Sequence, residues 1–119
     1  MKYPEIIDQH CQDHRFTLTL RVSPELEAFD GHFDTFPIIP GVVQIQWAMH
    51  FAKQLEVSNS ISSHSAIQKI SSLKFQQIIT PNRDVNLTLS FDETKQCLIF
   101  AISDEEHRYS SGKLFLSAG

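Results

Sequence analysis

Phe29-Asp30-Gly31-His32-Phe33-Asp34-Thr35-Phe36-Pro37-Ile38-Ile39-Pro40-Gly41-Val42-Val43-Gln44 is where the chain changes regime. Up to Pro40 it belongs to an irregular connection from Pro24 to Pro40. That connection carries Pro24, Pro37, Pro40, Gly31 and the large side chains Phe29, Phe33 and Phe36. Its backbone groups need partners and its rings need something to pack on. A connection of this length inside a small domain is often functional. From Gly41 to Glu56 the apolar spacing becomes helical. Val42, Ile45, Met49 and Ala52 fall on one line, and Val43, Trp47, Phe51 and Leu55 near another. Pro40 stands where a missing N–H costs nothing. A helix apolar over most of its circumference is expected to be buried on most sides. Gln46, His50 and Lys53, at i, i+4 and i+7, form its polar stripe.

The flanking segments read as strands. In residues 14–22, Phe16, Leu18, Leu20 and Val22 alternate with Arg15, Thr17, Thr19 and Arg21, and Ser23-Pro24 ends the run. Ala66–Thr80 is long enough for one bent or bulged strand. Pro81–Asp84 is a turn, then Val85, Leu87, Leu89 and Phe91 alternate with polar residues. Asp92–Lys95 and Asp104–His107 are further turns around Leu98, Phe100 and Ile102. Tyr109, Leu114 and Leu116 mark a last strand. Strand, long loop, helix and four antiparallel strands define an α+β fold, a curved sheet of about five strands wrapped around one central helix. Such a sheet has edges to protect, and pairing two subunits edge to edge is a common solution, so a dimer is expected.

Composition sets the outer limits. The 119 residues, 41% apolar and 20% charged, fit a single domain over 1–119 with its own core. No apolar run reaches the ~20 residues of a membrane helix. A net charge of −4 argues against nucleic acid. The acidity sits in residues 1–64, with four Lys/Arg against eight Asp/Glu, while residues 65–119 balance at six of each. Two cysteines, Cys11 and Cys97, make a disulfide framework improbable, and Met1–Asp8 does not read as a secretory signal. A soluble cytoplasmic protein is expected. His10, His14, His64 and His107 lack metal-ligand spacing, so neither metal nor cofactor is implied.

His32 is the residue with chemistry to offer. It lies on a loop that runs into a helix N-terminus, where the first N–H groups have no helical acceptor and carry partial positive charge. Gly41 lets a ligand approach that backbone. A near-neutral imidazole and a pre-aligned N–H are what proton abstraction beside a carbonyl requires.

Gly31-His32-Phe33 followed by Pro37-Ile38-Ile39-Pro40-Gly41-Val42-Val43 resembles the signature of the hotdog-fold 3-hydroxyacyl-[acyl carrier protein] dehydratases, the aryl-polyene type among them. The element order also resembles that fold. The resemblance implies that His32 removes the C2 proton of a 3-hydroxyacyl thioester while the Gly41 N–H holds the thioester carbonyl. It further implies an acyl tunnel lined by Phe33, Phe36, Pro37, Ile39, Val43 and Trp47, and an acyl carrier protein or coenzyme A (CoA) thioester as substrate. In the family an Asp or Glu five residues after the glycine, contributed by the opposite subunit, protonates the departing hydroxyl. Here that position is Gln46. The spacer Asp34-Thr35-Phe36 also departs from the family, which has Gly near Thr35 and often Pro at Asp34.

An amide donates hydrogen bonds but no proton, and general acid assistance is worth roughly 10²–10⁴ in rate. Alternative acids are a water on Gln46, His50, Asp34, or a carboxylate from a related subunit in a hetero-dimer. The alternative to an enzyme is a non-catalytic acyl-binding or partner subunit, and a further one is a hotdog thioesterase. Carrier proteins are acidic, so docking would draw on Lys69, Lys74, Arg83 and Arg108.

Overall fold

The computed structural model describes residues 1–30 and 37–117. It opens with β1 (Glu5–Gln12) and β2 (Arg15–Val22). They are joined by Asp13 and His14, at φ 53° and 62°. Two consecutive left-handed residues give a hairpin turn whose twist matches its strands. A short 3₁₀ turn (Glu27–Phe29) interrupts the long connection, and α1 spans Gly41–Gln54. β3 (Ile67–Phe75), β4 (Arg83–Asp92), β5 (Cys97–Ser103) and β6 (Arg108–Leu116) complete one antiparallel sheet of order β1-β2-β4-β5-β6-β3. No helix among the described residues is long and apolar enough to cross a membrane.

The sheet thus has six strands where the sequence pattern suggests about five. The additional one is β1, an edge strand whose side chains are almost all exposed, so it shows no apolar alternation. His14, assigned by pattern to the next strand, is a turn residue instead. The long Ala66–Thr80 segment is bulged, with Ser72 at φ 54° and a register shift between Ser71 and Lys74. It leaves the sheet after Phe75.

The core lies between the sheet's inner face and one side of α1. Leu18, Leu20 and Val22 of β2, Val85, Leu87 and Leu89 of β4, Leu98, Phe100 and Ile102 of β5 and Leu114 of β6 meet Trp47, Ala48, Phe51 and Ala52. The expectation of burial on most sides of the helix is not met within one chain. Val42 is 63% exposed, and Ile45 and Met49 are half-buried. One sheet covers one side of a cylinder and leaves the far side open.

Polar ties close both ends of the sheet. The Ser58 and Ser60 hydroxyls donate to Glu93, anchoring the segment after the helix to the β4–β5 turn and holding that carboxyl below its usual range. At the other end Asp104 accepts from the Tyr109 hydroxyl and from the N–H groups of Glu106 and His107. These donors hold Asp104 at about 2, against 3.8 unperturbed. A depressed carboxylate stabilises the fold above its unfolded pKa and stops doing so as pH falls through the folded one. Asp104→Asn is therefore expected to unfold at lower denaturant than wild type at pH 7. The gap should narrow below about pH 4 and close near pH 2, read by urea titrations across that range.

Candidate active site

The start of α1 is fixed by backbone bonds. Pro40 is its N-cap, with φ −61° and ψ 152°. The Pro40 carbonyl accepts from the N–H groups of Val43 and Gln44 at 3.1 and 3.2 Å. The N–H groups of Gly41 and Val42, one and two places into the helix, have no acceptor among the described residues. Ahead of them the Ile39 N–H donates to the Ile79 carbonyl at 2.9 Å. The buried Gln44 side chain donates to the Ile39 carbonyl at 3.1 Å. The strap entering the helix is thus tied on one side to the segment after β3 and on the other to the helix itself.

Gly41 has a packing reason of its own. A Cβ there would meet the tip of the Phe75 ring at 2.6–3.0 Å. Phe75 ends β3 and is half exposed, and Ile78 and Val42 nearby in the chain are more so. The start of α1 thus lies against an exposed aromatic ring.

Not every expected site residue falls within this description. His32, Phe33, Asp34, Thr35 and Phe36 lie outside the described residues. Pro37 and Val43 are half-buried, whereas Ile39 and Trp47 belong to the core cluster.

Gln46 is exposed on the far side of α1 from the core. It lines a cavity of about 350 Å³ with Lys2, Tyr3, Ile45, Met49, His50, Lys53 and Ile67. The polar stripe expected from the sequence is thereby gathered into one place. Tyr3 and Ile67 come from distant segments, and nothing local in the sequence signals them. The His50 ring stacks on Tyr3 at 3.6 Å between centroids and 5° between planes. Burial pushes the His50 imidazole below its ordinary pKa, a hydrogen bond with Gln54 works the other way, and Lys2 adds to the lowering.

The basic residues divide. Strand register puts Lys69 and Lys74 of β3 on one face with Lys113 of β6, which the sequence reading did not select, and Lys69 lies over the Phe115 ring. Arg83 does not join them. Its guanidinium donates to the Tyr109 hydroxyl at 2.8 Å and serves the Asp104 network. Among the described residues no group of three His, Cys, Asp or Glu is placed to hold a metal.

A family model, that of the ApeI-like dehydratases (ApeI dehydratase), matches residues 8–113. The chain belongs to this family. It is similar to a chain of the dehydratase heterocomplex ApeI:P from Xenorhabdus doucetiae, with 33% identity, 98% of each chain covered and a TM-score of 0.82. An uncharacterised protein from Erwinia carotovora subsp. atroseptica is 30% identical over 99% of this chain and 97% of that one, with a TM-score of 0.73. The PpsC dehydratase domain from Mycobacterium tuberculosis, solved with C12:1-CoA, shares the fold. Its TM-score is 0.66 at 16% identity, over 100% of this chain and 45% of that one. No curated protein matches. The architecture is a hotdog fold, and the family is one of dehydratases.

Gly41→Ala should leave the protein folded, because the obstructing atoms are the far end of a half-exposed ring. A loss of roughly 1 kcal/mol, the low end for overpacking, is expected. Phe75→Ala in the same chain should remove that loss, giving a coupling energy in a double-mutant cycle of denaturant titrations.

Proposed function

We propose that this protein removes water from a 3-hydroxyacyl thioester, carried on an acyl carrier protein or CoA, to give the trans-2-enoyl thioester. The observation that carries the reading is the unclaimed Gly41 N–H at the start of α1, nine residues after His32 in the sequence, in a chain of the ApeI-like dehydratase family. His32 takes the C2 proton as general base. The Gly41 N–H, at the positive end of the helix, stabilises the enolate oxygen. The acyl chain runs along Phe33, Phe36, Pro37 and Val43, above Ile39 and Trp47. Gln46 holds the departing hydroxyl by hydrogen bonds without protonating it.

A second subunit completes the site. β3 is an edge strand with Ile70, Leu73 and Phe75 exposed, while the opposite edge, β1, is polar and irregular between Ile6 and Asp8. Of the two edges, β3 is the one that invites pairing. The name of the X. doucetiae heterocomplex supports a related subunit as partner over a second copy. Lys69, Lys74, Lys113 and Arg108, on β3 and β6, form the surface for an acidic carrier. The free thiols of Cys11 and Cys97 suit a reducing cytoplasm.

One observation favours a second reading. With an amide at position 46, the chain serves as the non-catalytic partner of a carboxylate-bearing relative.

Absorbance of the conjugated enoyl thioester tests both. Wild type is expected to turn over, alone or with a related subunit, and His32→Ala to lose roughly 10²–10⁴ in rate. Turnover that appears only in Gln46→Glu would assign the partner reading. No turnover by either protein, with or without related subunits, would end the enzymatic reading.

A further inference from the structure

We propose that His50 delivers the proton the departing 3-hydroxyl needs, in the place left by Gln46. The inference rests on the dehydratase reading above and deepens it. In the elimination the C2–H bond breaks and its proton passes to the base. The C2=C3 bond forms, and the C3–O bond breaks with its electron pair on oxygen. That oxygen leaves as water once it takes a proton, here from the His50 imidazolium. Solvent returns a proton to His50 and takes one from the base, so the net change is the loss of one water.

Three observations place His50 for this step. It shares the cavity of about 350 Å³ with Gln46, one helical turn away, where side chains at i and i+4 start about 5–6 Å apart. Its ring is held rather than free, flat on Tyr3 at 3.6 Å and edge-on to Phe51 at 4.9 Å and 74°. A donor fixed in plane has little left to organise in the transition state. The charged and titratable groups that face it from the surrounding elements are Lys2 and Tyr3 of the N-terminal segment and Lys53 of its own helix, with the amide of Gln54 as hydrogen-bond partner. β3 contributes the apolar Ile67. No carboxylate lines the cavity among the described residues. Imidazole is the side chain there that exchanges its proton near neutral pH. The burial and the Lys2 charge that lower its pKa make the imidazolium a readier donor.

The test compares two leaving groups on the full chain, with its partner subunit where turnover needs one. His50→Phe and His50→Gln both keep a flat side chain against Tyr3. With a 3-hydroxyacyl thioester each is expected to lose about 100-fold in kcat at nearly unchanged KM. With the 3-fluoroacyl analogue, whose fluoride departs without a proton, each should stay within about threefold of wild type. Gln46→Glu added to His50→Phe should recover most of the lost hydroxyacyl rate. Wild-type kcat should fall with rising pH along a limb the variants lack. Variants that match wild type on both substrates would overturn the proposal, as would equal losses on both, which mark a merely structural stack. Wild type that eliminates fluoride but never water also overturns it. Wild type inert toward both substrates instead removes the dehydratase reading beneath it.

Discussion

Pro40 ends an extended strap and begins a helix, and its single carbonyl serves two amides, those of Val43 and Gln44. Gly41 and Val42 are thereby left with N–H groups that the helix cannot use. The strap cannot swing to meet them, because Ile39 is bonded to Ile79 through its N–H and to Gln44 through its carbonyl. Trp47, Ala48, Phe51 and Ala52 lock the same helix into the sheet. The direction of the free amides is therefore decided by core packing. This is how a 119-residue chain fixes a donor without charged side chains: the equivalent of about half an elementary positive charge sits at the helix start.

Charged side chains govern the outer side of α1 instead. Lys2, His50 and Lys53 gather around Gln46 with no carboxylate beside them among the described residues. An amide there is neutral at any pH and leaves the cationic field to act on His50, where it favours release of a proton. The residue at position 46 and the character of its neighbours are thus one electrostatic arrangement.

How much of this was legible depended on whether the signal was local. β2, β4 and β5 alternate because one face of each is buried, and the helix announced itself from Gly41 onward, ending two residues earlier than its pattern. β1 did not, because an exposed edge strand need not alternate and its turn is Asp13-His14 rather than a glycine-bearing pair. The Gln46–His50–Lys53 stripe was visible as helical spacing. The Tyr3 stack and the Ile67 wall were not, since they join residues about 47 and 22 positions from His50 and Ile45 through packing alone. Arg83 looked like a docking residue by its charge. Its inward register beside Val85 and Leu87 instead brings it to Tyr109. His32 through Phe36, legible only as part of the motif, lie outside the described residues.

A motif glycine is usually explained by what a ligand must approach. Gly41 carries a second demand, because the Phe75 ring already occupies the space a Cβ would fill. The same device recurs at Gly112, which faces Phe100 across the β5–β6 pair and would press a Cβ against its ring at 2.9 Å. At Gly112 the ring is buried and the contact only fills the core. At Gly41 the ring is half exposed, on the last residue of an edge strand, against the first residue of the helix. Sheet edge and helix start thus meet through one aromatic side chain.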